Sequence, residues 1–197
     1  MSNLSLTQLP PLSLYIHMPW CIKKCPYCDF NSHGLKGTLP EQEYIDSLIM
    51  DLEQALPLIW GRSIQSIFIG GGTPSLFSGK AIDRLISSIR SRIKISPYAE
   101  ITLEANPGTV EKHYITEYAA AGVNRISLGI QSFNDQHLKV LGRIHSANEA
   151  REAIETVADN FANFNLDIIY GLPKQSAEEA INDIQQAINA KPTHISA

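Results

Sequence analysis

Strand-like and helix-like segments alternate along the whole of this 197-residue chain, and that alternation constrains the fold more than any other feature. Apolar runs rich in Ile and Leu occur at 14–18, 64–69, 100–105, Arg125–Gln131 and 165–170, and 193–197 begins a sixth. Helix-period segments fill the gaps. After Pro40, Tyr44, Ile45, Leu48, Ile49, Leu52 and Leu56 fall on one face of a 3.6-residue repeat. A second helix starts at Ser78 and carries Ile82, Leu85, Ile86 and Ile89; a third runs from Thr109 to the stop signal Gly122. Two short helices follow the fourth strand, the second opened by Ser146 with Glu149 in capping-box spacing. Ser176 and Glu179 repeat that device before the last helix. Repeated βα units imply an α/β fold with a parallel sheet and right-handed crossovers, as a barrel or a doubly wound sheet.

The parity of side chains within the strands favours an open barrel. Leu12, Leu14, Ile16 and Met18 oppose Ser13, Tyr15 and His17. Ile101 and Leu103 oppose Thr102 and Glu104, and Ile126, Leu128 and Ile130 oppose Ser127, Gly129 and Gln131. Leu166, Ile168 and Tyr170 oppose Asn165 and Asp167. A closed eight-stranded barrel fills its lumen with branched apolar layers, and a doubly wound sheet is apolar on both faces. Here one face is apolar and the other small or polar, as suits a partly open barrel whose lumen meets a ligand. The strand beginning at Thr193 has no room for a following helix, so residues 1–197 are expected to be the N-terminal portion of a longer core domain, with a C-terminal domain outside this chain.

The chain's three cysteines, Cys21, Cys25 and Cys28, lie within eight residues, directly after the first strand. Closely spaced thiolates suit an iron–sulfur cluster, because one loop must wrap it. Three ligands on a four-iron cubane leave one iron open to a small molecule. The alternatives are structural zinc, with His17 or His33 as fourth ligand, and inert thiols. Three is an odd number for disulfides, and a cysteine cluster without a signal peptide reads as a reducing, cytoplasmic protein. The N-terminus lacks a basic start and apolar stretch, and no apolar run approaches the ~20 residues of a membrane span. A net charge of −4 with no basic stripe gives no reason to expect nucleic acid.

Gly70-Gly71-Gly72-Thr73-Pro74 ends the second strand without the spacing of a Walker or dinucleotide loop. Such glycines let a ligand approach the backbone, or simply make a tight turn. Glu104, Gln131 and Asp167 share the lumen parity near the ends of three strands, where barrel ligands bind. His33, His137 and His145 have nothing to order them and are expected on the surface.

The segment SLYIHMPWCIKKCPYCDFNSH, followed in order by FIGGGTP, LEANPG, GIQSF and DIIYGLP, resembles the radical S-adenosylmethionine (SAM) superfamily over residues 11–197. More narrowly it is similar to the oxygen-independent coproporphyrinogen oxidase-like branch and, within it, to the heme chaperones. The resemblance implies a partial, open (β/α)6 barrel of parallel strands. It implies that Cys21, Cys25 and Cys28 bind a [4Fe-4S] cluster and that Tyr15, Tyr27, Gly71, Gly72, Thr73, Glu104, Gln131, Arg143 and Asp167 contact SAM. Reduced, such a cluster cleaves SAM to a 5′-deoxyadenosyl radical.

For function the resemblance implies heme binding and transfer to acceptor hemoproteins, respiratory enzymes among them, with an electron donor for the cluster. No residue is assigned as catalytic and none as a heme ligand. The rival is the radical decarboxylation of coproporphyrinogen III in porphyrin biosynthesis. The oxidases carry a further cysteine two residues after the third, where this chain has Phe30, and a longer N-terminal extension. A zinc-stabilised barrel without radical chemistry is the remaining alternative.

Overall fold

The computed structural model describes residues 8–59, 61–109 and 112–197. Residues 1–7, most of the segment read as lacking a signal peptide, and residues 110 and 111, expected in the third helix, lie outside them. The strands are β1 (Leu12–Met18), β2 (Trp20–Cys21), β3 (His33–Gly34), β4 (Ile64–Gly71), β5 (Ile95–Ala105), β6 (Arg125–Gln131), β7 (Phe164–Ile168) and β8 (His194–Ser196). The helices are α1 (Glu41–Ile59), α2 (Gly79–Arg92), α3 (Lys112–Ala121), α4 (Asp135–Val140), α5 (Ala147–Ala158) and α6 (Ala177–Asn189).

Six strands form one sheet in the order β1-β4-β5-β6-β7-β8, every neighbouring pair parallel. It is open: β1 and β8 are its edges. The apolar parity lies under the helices as expected, with Ile67, Ile69, Leu103, Ile126, Leu128 and Leu166 buried there. Burying each such side chain stabilises by about 1.5–3 kcal/mol. The α1 face supplies Ile45 fully buried, with Tyr44, Leu48, Ile49, Leu52 and Leu56 packed against the core.

On the opposite face Thr102, Ser127 and Asn165 are also buried, and hydrogen bonds satisfy them. Asn165 Nδ2 donates to Ser127 Oγ at 2.9 Å and to Asp167 Oδ1 at 2.7 Å. Both capping boxes form, at Ser146 with Glu149 and at Ser176 with Glu179. Gly122 ends α3 at φ +101°, the left-handed region that suits glycine.

Several elements differ from the sequence reading. β5 starts at Ile95, five residues early, because Ile95 pairs with Ile64 across a register shift in β4. β7 stops at Ile168, two residues early: Gln131 turns to φ +68° at the end of β6, and the Ile169 N–H is diverted to the Gln131 carbonyl at 2.9 Å. The two-residue strands β2 and β3 have no period to reveal them and pair only with each other.

Candidate functional site

The cysteine loop begins where β1 ends. It is closed by the pairing of β2 with β3, Trp20 opposite His33 and Cys21 opposite Gly34. Backbone bonds from His33 N to Pro19 O (2.7 Å) and from Leu35 N to Cys21 O (2.8 Å) seal the neck. Inside, Cys28 N donates to Cys25 O at 3.1 Å, and Lys24 Nζ reaches Phe30 O at 2.9 Å. A fixture from β1 holds the far side: His17 Nε2 donates to Asn31 O at 2.7 Å, and its Nδ1 accepts from Tyr15 Oη at 2.9 Å. All three cysteines are free thiols, each half-buried.

The glycines of β4 seat this loop. Gly72 N donates to Met18 O and Thr73 N to Trp20 O, both at 2.7 Å. A Cβ on Gly72 would stand 2.6 Å from Trp20 O and 2.9 Å from Met18 O. At Gly71, φ is +114°, and a Cβ would meet the His17 ring at 2.5 Å. Glycine is therefore required here by the loop's own close packing.

Two carboxylates stand at the ends of β5 and β7. Glu104 Oε2 accepts from Gly71 N at 3.0 Å. Burial pushes its pKa up to about 7, the Gly71 N–H pulls it back, and the Asp167 charge adds to the rise. Burial also raises Asp167, opposed by hydrogen bonds from Ser127, at 3.1 Å, and Asn165.

Arg143 follows Gly142, whose φ of +70° turns the chain out of α4. Its Nη2 donates to Gly129 O at 2.8 Å, its Nη1 lies 3.8 Å from Cys25 Sγ, and its buried Nε finds no hydrogen-bond partner among the described residues. Glycine at 129 makes room, since a Cβ there would stand 2.8 Å from Gln131 Nε2 and 3.2 Å from Arg143 Nη2. Tyr27 sits beside Arg143 and Cys25, its phenol pKa raised chiefly by burial.

These groups share one cavity of about 330 Å³. Cys21, Cys25, Cys28, Tyr27, Gly71, Gly72, Thr73, Glu104, Gln131, Arg143 and Asp167 all line it. Tyr15 does not. It stands on the lumen face beside Phe68, the rings stacked with centroids 6.3 Å apart, and reaches the loop through His17. The cavity also contains Lys23, Phe30, Asn106, Ser127 and Gly129, which the sequence reading left without a role. Ser127 and Gly129 carried a signal, their lumen parity; Asn106 follows a strand end within LEANPG.

Two of the histidines expected on the surface are buried: His137 is 6% and His145 4% exposed. His137 is covered beneath α6, 3.5 Å from Glu179, and His145 is wedged between Asn106 and the Ile130 carbonyl. Only tertiary packing decides this. His33 is exposed.

Among the described residues no group of three or more His, Cys, Asp or Glu side chains closes around a single metal ion. His17, one of the two histidines open to a zinc reading, has both ring nitrogens engaged. A cubane spreads its ligands over separate irons, and three thiols of one loop opening on one cavity fit that donor set.

The comparisons with known proteins agree with one another. The chain is 53% identical over 192 residues to the heme chaperone HemW of Escherichia coli (strain K12), covering 97% of this chain and 51% of that protein. To the HemW of Haemophilus influenzae it is 54% identical over 196 residues, with the same coverage. The chain thus spans about half the length of the curated relatives it matches. The solved structure of coproporphyrinogen III oxidase (HemN) from Escherichia coli, a radical SAM enzyme, matches with a TM-score of 0.84 at 30% identity, over 95% of this chain and 44% of that one. A family model described as the Radical SAM superfamily matches residues 15–187, and the chain belongs to that superfamily.

Proposed function

We propose that this chain is the cluster- and SAM-binding part of a heme chaperone. The observation that carries the reading is the convergence, on one cavity, of three free thiols from a single loop with the polar ends of the strands. The superfamily implies a [4Fe-4S] cluster and SAM. Heme follows from the names of the relatives.

In this reading Cys21, Cys25 and Cys28 hold the cluster. The chemistry that cluster and SAM supply when bound is one-electron reductive cleavage of a carbon–sulfur bond. The chain's own residues bind and orient. Arg143, anchored on Gly129 O with an Nε that finds no partner among the described residues, suits a carboxylate. Glu104 and Asp167 accept from hydroxyls or face a cation, and Gly71 to Thr73 offer backbone at close range. Gln131 and Tyr27 complete the wall. Tyr15 contributes through His17, which fixes the loop, and the β2–β3 closure limits water at the thiols.

Beyond the cavity, the protein binds heme and passes it to acceptor hemoproteins, including respiratory enzymes, and takes electrons for the cluster from a donor. The cysteine usage supports a cytoplasmic setting for this role. Among the described residues no helix is long and apolar enough to cross a membrane.

The rival reading, coproporphyrinogen decarboxylation, has the structural likeness to the oxidase in its favour. Phe30, in the cavity wall where the oxidases carry a cysteine, speaks for the chaperone. The experiment gives the protein heme in one arm and coproporphyrinogen III, SAM and reductant in the other. Stable heme uptake without decarboxylated product is expected. Catalytic formation of protoporphyrinogen overturns the chaperone reading.

A further inference from the structure

Asn106 stands one residue beyond β5, in the cavity wall. Both its backbone polar groups are engaged: its N–H donates to Ser75 Oγ at 3.1 Å, and its carbonyl accepts from Thr109 N at 2.8 Å and Thr109 Oγ1 at 2.9 Å. Only the side-chain amide remains, and its Oδ1 is placed 3.2 Å from His145 Nδ1. Its Nδ2 has no partner among the described residues and is not sealed from the cavity.

His145 decides which end is which. Its Nε2 is 3.2 Å from the Ile130 carbonyl, which can only accept, so Nε2 carries the proton. The ring is neutral at pH 7: burial and then the Arg143 charge lower its pKa to about 4, against smaller opposing effects of Ile130 O, Glu149 and Asp135. Nδ1 is then a lone pair. An amide oxygen placed against it would repel, whereas the isosteric amide N–H₂ bonds to it. The backbone carbonyl of Ile130 cannot turn, but the amide of Asn106 can. Turned over about its Cβ–Cγ bond, the amide gives Nδ2 to His145 and Oδ1 to the cavity.

We propose that Asn106 is a further ligand-binding residue, presenting its side-chain carbonyl oxygen to a hydrogen-bond donor of the bound adenosyl sulfonium, and that His145 is the positioning residue that fixes the amide in that sense. This rests on the reading that the cavity takes SAM. It extends an acceptor-rich wall that already contains Glu104 and Asp167, with Arg143 as the opposing donor.

The test uses the full chain reconstituted anaerobically with iron and sulfide, SAM and S-adenosylhomocysteine as probes in calorimetric titration, and nitrogen NMR of the imidazoles. The expected His145 signal at pH 7 is the neutral Nε2–H form. Asn106→Ala is expected to raise the Kd for both probes about 5- to 20-fold at unchanged iron content, the effect of losing one hydrogen bond. His145→Phe, which keeps the volume but lacks the lone pair, is expected to do the same. The double variant should be no weaker than either single one, because both remove one interaction. An Nδ1–H tautomer or an imidazolium at pH 7 overturns the orientation, and wild-type Kd in Asn106→Ala with full iron overturns the role. Wild-type protein that loads iron but binds neither probe fails differently: it sinks the SAM reading and with it the ligand assigned to Asn106, while the tautomer still decides the bond to His145.

Discussion

Glu104 and His145 are buried titratable groups with opposite pH signatures. Glu104, held up to about 7, is partly protonated at neutral pH. A cation entering the cavity favours its carboxylate, so SAM binding at pH 7 is expected to release a proton. Calorimetry in buffers of different ionisation enthalpy measures this, and Glu104→Gln should abolish it. For His145, the folded pKa of about 4 lies below the ordinary 6.5, so the unfolded chain binds more protons between those values. Stability therefore falls as pH drops through that window, by up to about 3 kcal/mol. Glu104, with a raised folded pKa, acts oppositely over 4.5 to 7. The informative quantity is thus the difference between wild type and His145→Phe in urea midpoint at pH 7 and pH 4.5, the variant losing less. The cysteines were legible because their spacing is local. The burial of His145 was not, because Asn106 and Ile130 close around it from distant parts of the chain.

At the scale of elements, what could be read was what has a period. The lumen parity of β5, β6 and β7 located Glu104, Gln131 and Asp167, and the two Ser–Glu capping boxes opened α5 and α6 as read. The short strands β2 and β3 have no period, and their existence depends on the loop being drawn onto the end of β4. Gly72 tests that seating. Its missing Cβ is replaced by backbone oxygens of Met18 and Trp20 that cannot swing aside. Gly72→Ala is expected to cost about 1–3 kcal/mol in denaturant midpoint and to reduce iron uptake on reconstitution. Gly34→Ala is the control. A Cβ there meets nothing within 4 Å, so its change in stability should stay within about 0.5 kcal/mol.

Over the whole molecule, one apolar face carries the helices and one polar face carries the site. The open parallel sheet was readable because its two faces differ so consistently in chemistry. Its edges, β1 and β8, bracket that polar face. The most direct measurement is electron paramagnetic resonance of anaerobically reconstituted, reduced protein, with and without SAM and beside Cys25→Ala. A [4Fe-4S] signal that SAM perturbs, and that Cys25→Ala loses while keeping its far-ultraviolet circular dichroism, is expected. Folded wild-type protein without iron, or with a cluster signal indifferent to SAM, would contradict the assignment of this cavity.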